Sequence, residues 1–190
     1  MGLCISARSS DYKYIYNYNE ETQEDEETEI GEDYYCDADI GYIGFKNFRD
    51  KLVEFATNGK FTDIANDKYD DGEPLCWAFY DDETYQIGID KNIFTEEDLK
   101  KESIKKYLNK LNHMKENYPK LYQIFPFIAH SDCEGEVPYE QVLSAYPIIK
   151  EFYEVDKTNY GYWGKEYNFT ECLLKTFETV IEKKGKLYFC

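Results

Sequence analysis

The chain has 190 residues, enough for one domain that hides about two thirds of its unfolded surface. Hydrophobic residues make up 42% and aromatics 18%, a composition that excludes a disordered chain. Lys plus Arg number 22 against 39 for Asp plus Glu, a net charge of -17. Nucleic acid and anionic membranes are therefore repelled, whereas a basic protein partner is drawn in at a rate that falls with salt.

Six cysteines (Cys4, Cys36, Cys76, Cys133, Cys172, Cys190) are scattered without a C-x-x-C pair. No apolar leader and no run of membrane-spanning length is present. These features predict reduced thiols, mostly core fillers, in a cytoplasmic protein. Tyr outnumbers Phe, 20 to 12, which suits either packing or a contact surface, since each Tyr carries a polar tip.

In chain order, the apolar residues 3–7 (LCISA) predict a first strand. Residues 12–18 (YKYIYNY) alternate aromatic and polar side chains and fit a strand or a sticky loop. From Glu20 to Asp37 there are ten acidic residues and no basic one. Such a block repels itself and predicts a mobile acidic insertion over 18–38. Within it Glu24, Asp25, Glu26, Glu27 and Glu29, with Tyr34 and Tyr35, form the candidate binding patch for a basic partner.

DIGYIGF (39–45) reads as a strand running into a helix. Phe45, Phe48, Leu52 and Phe55 carry the helical spacing, and Asn58-Gly59 supplies the stop. Residues 75–80 and 85–89 flank Asp81-Asp82-Glu83-Thr84 as a candidate hairpin. Thr95 with Asp98 three residues on predicts a helix cap, and Ile104, Leu108, Leu111, Met114 and Tyr118 form a stripe that Pro119 ends.

Residues 130–136, HSDCEGE, concentrate His130, Asp132, Cys133, Glu134 and Glu136 on one short stretch. A zinc site needs three or four ligands converging from different elements, and no second contributing element is legible. No orienting group or oxyanion hole accompanies Cys133 and His130 as a nucleophile pair. The segment therefore reads as a structural turn of His130, Asp132, Cys133, Gly135 and Glu136. Gly135 supplies a positive φ, Asp132 or Ser131 bonds back to the main chain, and Glu136 and Glu140 lie at the positive end of the following helix. Ligand recognition by the same loop is the alternative. No metal, cofactor or catalytic residue is expected, so the chain reads as no enzyme.

Pro138 suits a first helical turn, with Val142, Tyr146, Ile149 and Phe152–Tyr153 on the apolar face, and Pro147 kinks or splits that helix. Asn168 with Glu171 caps a last helix striped by Phe169, Leu173, Phe177, Val180 and Ile181. Lys183 and Lys184 complement its dipole, Gly185 ends it, and LYFC (187–190) is a short closing strand. The whole predicts a single α+β domain over 1–190, a small and mostly antiparallel sheet packed against about four helices.

His130-Ser131-Asp132-Cys133, then an acidic residue and Gly135-Glu136, resembles the HSDC(D/E)GE signature of small bacterial and phage proteins that begin Met-Gly-Leu, as this chain does. Gly41-Tyr42, Phe45 and Phe48-Arg49-Asp50 are similar to the GSY…F…FRD stretch of the immunity-protein-70 family, whose members are held to protect bacteria from polymorphic toxins. The likeness covers residues 1–6, 39–59 and 127–190. The segments 18–38 and 61–120 depart from it, and Glu134 stands where Asp is commoner. The resemblance implies a fold and a protective binding role, with no catalytic set.

Met1-Gly2-Leu3-Cys4-Ile5-Ser6 also fits the N-myristoylation pattern at Gly2, with Cys4 placed for palmitoylation. The competing reading has Leu3 and Ile5 inside a buried strand. Three functions stand at this point. One is a non-enzymatic acidic inhibitor, immunity-like, that neutralises a basic toxin or effector. Another is an acylated protein on the cytoplasmic face of a membrane, and the third is a phage-type inhibitor of host defence.

Overall fold

The computed structural model describes residues 3–19, 23–69, 72, 75, 95–129, 135–160 and 167–189. It is a single small α+β unit, with five α-helices and six strands among the described residues. Four strands, β1 (Leu3–Arg8), β4 (Asp33–Ile40), β5 (Gly135–Pro138) and β6 (Lys186–Phe189), form an antiparallel sheet of order β4-β1-β6-β5. The other two, β2 (Lys13–Asn19) and β3 (Glu24–Ile30), pair only with each other.

Alternation explains the sheet. Leu3, Ile5 and Ala7 on β1 are buried in register with Ile40, Ala38, Phe189 and Leu187 of its neighbours. Val137 of β5 extends that apolar face beside Leu187. Helix α5 (Phe169–Lys183) lies across it, and α4 (Tyr139–Val155) packs beside α5 and α3 (Pro119–Ile128). Helix α1 (Tyr42–Ala56) buries Phe45, Phe48, Leu52 and Val53 in the same core. The ring of Phe48 is its hub, meeting Phe127, Phe152, Tyr160 and Phe169 edge to face at 5.1–6.4 Å between centroids. Edge-to-face contact sets the positive rim of one ring on the negative face of the next.

Several local expectations meet their structure directly. Asn58 and Gly59 both have positive φ where α1 ends. Thr95 and Asp98 cap each other reciprocally, although they open a 3-10 turn (Asp98–Lys100) ahead of α2 (Glu102–Asn117). Asn168 Oδ1 accepts the Glu171 N–H at 3.2 Å, the side-chain cap of α5.

Others are corrected. Instead of a loop, the described part of the acidic stretch 20–37 forms β3 and most of β4. Pro119 ends the α2 stripe as expected but also opens a separate helix, α3, with Leu121, Ile124, Phe125, Phe127 and Ile128 buried. Pro119 at its start and Pro126 inside it read as breakers in the sequence. Pro138 closes β5 and precedes α4 rather than entering its first turn, and α4 runs unbroken through Pro147. The left-handed residue after α5 is Lys184, φ 54, not Gly185. Gly185 is required for another reason: a Cβ there would overlap the Arg8 carbonyl. The candidate hairpin over 75–89 lies outside the described residues apart from Leu75.

Candidate functional site

Strands β1 and β2 are two halves of one long arm, as are β3 and β4. The body sheet holds β1 against β4, and beyond a joint at Ser9–Tyr12 and Gly31–Glu32 the same two chains pair again as β2 and β3. Ser9 organises the joint. Its N–H donates to the Glu32 carbonyl at 2.9 Å, and its hydroxyl accepts the Glu32 N–H at 2.8 Å. The hydroxyl donates in turn to Asp11 Oδ1 at 2.6 Å, which holds that carboxyl below its ordinary value, with the Asp11 backbone N–H and Lys186 assisting. Gly31 sits here at φ 92, where any Cβ would run into Ser9 Oγ and the Tyr12 backbone.

Aromatic packing fixes the base of the ribbon. Tyr12 is buried and meets Tyr14 and Tyr188 edge to face, both at 5.5 Å. The Arg8 guanidinium lies 5.0 Å from the Tyr12 ring centroid and pairs with Asp33, while Lys186 pairs with Glu136. The Tyr14 phenol is raised above its ordinary value, first by Tyr12, then by burial and by Glu29.

Beyond that base the register sets the acidic residues of β3 opposite tyrosines and asparagines of β2. Tyr14 stands opposite Glu29, Tyr16 opposite Glu27, Asn17 opposite Glu26, Tyr18 opposite Asp25 and Asn19 opposite Glu24. Like charges directly across a ladder destabilise it, and this pairing contains none. Residues 13–30 nonetheless carry seven carboxylates and one lysine. Cross-strand pairing therefore avoids repulsion without neutralising the field. Glu27 and Glu29 are exposed, and Tyr18 is 63% exposed.

Tyr34 and Tyr35 part company. Tyr34 packs on the core, whereas Tyr35 is 87% exposed. The register between β1 and β4 slips between Ser6 and Arg8, so β4 carries extra residues there, and Tyr35 adopts φ 50. Asp33 Oδ1 accepts the Tyr35 N–H at 2.7 Å and fixes the bulge. A non-glycine residue in that conformation costs about 1 kcal/mol or more. No local sequence signal announces the bulge. By contrast, the Tyr alternation over 12–18 was a signal for the ribbon that the acidic composition of its partner strand obscured.

Of the heptapeptide, residues 130–134, and so His130, Asp132 and Cys133, lie outside the described residues. Gly135 has φ 134 and opens β5, opposite Phe189. Glu136 stands on that strand opposite Tyr188 and pairs with Lys186, away from the helix start where only Glu140 occupies the first turn. His113 packs on Tyr69 and Tyr118, with Tyr69 Oη 2.6 Å from its Nδ1. Among the described residues no group of three His, Cys, Asp or Glu side chains is arranged to hold a metal ion.

Gly2 is not among the described residues. Cys4 is half-buried on β1 with Sγ 3.2 Å from Ser6 Oγ, between the buried Leu3 and Ile5. No described helix is long and apolar enough to cross a membrane. Comparison with family models, curated proteins and solved structures gives no match to this chain.

Proposed function

We propose that the chain is a non-enzymatic acidic binding protein, of immunity or inhibitor type, that captures a basic protein effector on the β2–β3 ribbon. One observation carries the reading: the ribbon's pairing sets every acidic residue of β3 opposite a neutral one, in a stretch with seven acidic residues and one lysine. A two-stranded ribbon is marginal on its own in water, and one loaded with a single sign of charge is more so. Such a field speeds encounter with a cationic surface, while exposed tyrosines supply anchoring area once contact is made. The likeness to immunity proteins points the same way.

Deleting 20–37 is an unsuitable test because it removes five of the eight residues of β4 from the body sheet. Charge reversal is cleaner. Affinity capture from the native host with the intact chain should retain a basic protein that the double variant Glu27→Lys, Glu29→Lys loses. Retention of the same protein by both chains would rule out the ribbon as the contact.

A further inference from the structure

Two half-buried thiols lie on packed elements, Cys36 on β4 and Cys172 on α5, and Cys36 reaches the residue one helical turn after Cys172. Cys36 Sγ lies 3.9 Å from Thr176 Oγ1, and that hydroxyl donates to the Cys172 carbonyl at 3.0 Å. Thr176 follows Cys172 by four residues, so both side chains rise from one face of the helix. Just before α5, the Tyr167 hydroxyl accepts the Asp39 N–H at 2.6 Å. Burial, chiefly, raises the Tyr167 phenol above its ordinary value, and the Cys172 thiol adds to the effect. Strand and helix thus run in opposite directions, with Tyr167 level with Asp39 and Thr176 level with Cys36. Cys172 falls between them, along a stretch of strand only about 10 Å long. The Lys175 ammonium, raised first by Glu171, also feels both thiols, Cys172 before Cys36.

We propose that Cys36 and Cys172 are an oxidation site that a hydroperoxide converts into a disulfide joining β4 to α5. One sulfur, as thiolate, attacks a peroxide oxygen. The O–O bond breaks, the departing oxygen takes up a proton and leaves as water or alcohol, and a sulfenic acid remains. The second thiol, losing its proton, displaces the hydroxyl from that sulfur, so the S–S bond forms and water leaves. The two sulfurs together give up two electrons and the peroxide takes them. The bridge closes a loop of most of the chain, which constrains the unfolded state. It also ties down the edge strand that continues through Gly31 and Glu32 into the acidic ribbon. The site is independent of what the ribbon binds.

The test treats the full-length protein with substoichiometric hydrogen peroxide, alkylates remaining thiols under denaturing conditions, and maps peptides without reductant. The Cys36 peptide should appear linked to the Cys172 peptide before any other pair forms. Tm should rise on oxidation and return with dithiothreitol, and Cys172→Ser should lose both effects. Recovery of Cys36 and Cys172 as alkylated thiols while other cysteines oxidise would overturn the site. So would their conversion to sulfinic acids, or pairing of either with a different cysteine.

Discussion

The body and the ribbon handle charge in opposite ways. In the body, carboxylates find cations: Asp33 meets Arg8, Glu136 meets Lys186, Asp50 and Asp63 share Lys46, and Glu151 meets Lys120. In the ribbon, carboxylates face tyrosine and asparagine across the ladder. The body also buries a continuous aromatic and aliphatic core, while among the described residues no helix packs extensively on β2 or β3. The described ion pairs are therefore concentrated in one region and a run of acidic residues in the other. A region whose residues contribute little to folding is free to be shaped by a partner.

Mutations should separate the two regions by size of effect. Phe48→Ala removes the hub of four ring contacts from a fully buried position and should cost about 3–5 kcal/mol in urea unfolding. A loss under 1 kcal/mol would show that the core is not organised around that ring. Gly185→Ala drives a methyl group into the Arg8 carbonyl, and the strain should cost about 1–3 kcal/mol. Were Gly185 needed only as a flexible helix end, Ala would cost much less than that.

Acid should act on the body through one defined loop. Asp63 is held down to about 2, first by the Asn66 side chain, with the Asn66 and Ala65 backbone N–H groups and Lys46 adding to it. A lowered folded-state value means the stabilisation is complete above the ordinary carboxylate value of 3.8 and drains away as pH falls towards about 2. Unfolding curves for the native chain and for Asp63→Asn should therefore converge across that window. Parallel curves would show that Asp63 contributes nothing through ionisation. Asn168→Ala, which strips the α5 cap, should cost about 1 kcal/mol at neutral pH.

How much of this was legible depends on whether the signal is local. Helix α5 was readable because its stripe and its Asn168–Glu171 cap lie within one segment. The reason for Gly185 was not, because the Arg8 carbonyl that crowds it comes from the far end of the chain. Helix α3 hid because Pro119 at its start and Pro126 inside it both read as helix breakers. The ribbon hid for a different reason. Glu and Asp are poor strand formers, yet β3 pairs along its whole length with β2, whose tyrosines alternate opposite its acidic residues. The patch assigned from composition was placed on the acids together with Tyr34 and Tyr35; only the pairing reveals Tyr14, Tyr16 and Tyr18 as its aromatic half.

Ribbon substitutions should have the smallest effect on folding. Tyr18→Ser, at a largely exposed site, should change stability by no more than about 0.5 kcal/mol. The most direct test is the salt dependence of the association rate between the intact protein and the basic protein it retains, set beside Glu27→Lys, Glu29→Lys. The intact chain should associate fast at low salt and slow steeply as salt rises, and the double variant should be slow with a shallow dependence, both chains folding equally well. Identical rates and identical salt slopes for the two chains would contradict the assignment of binding to the ribbon.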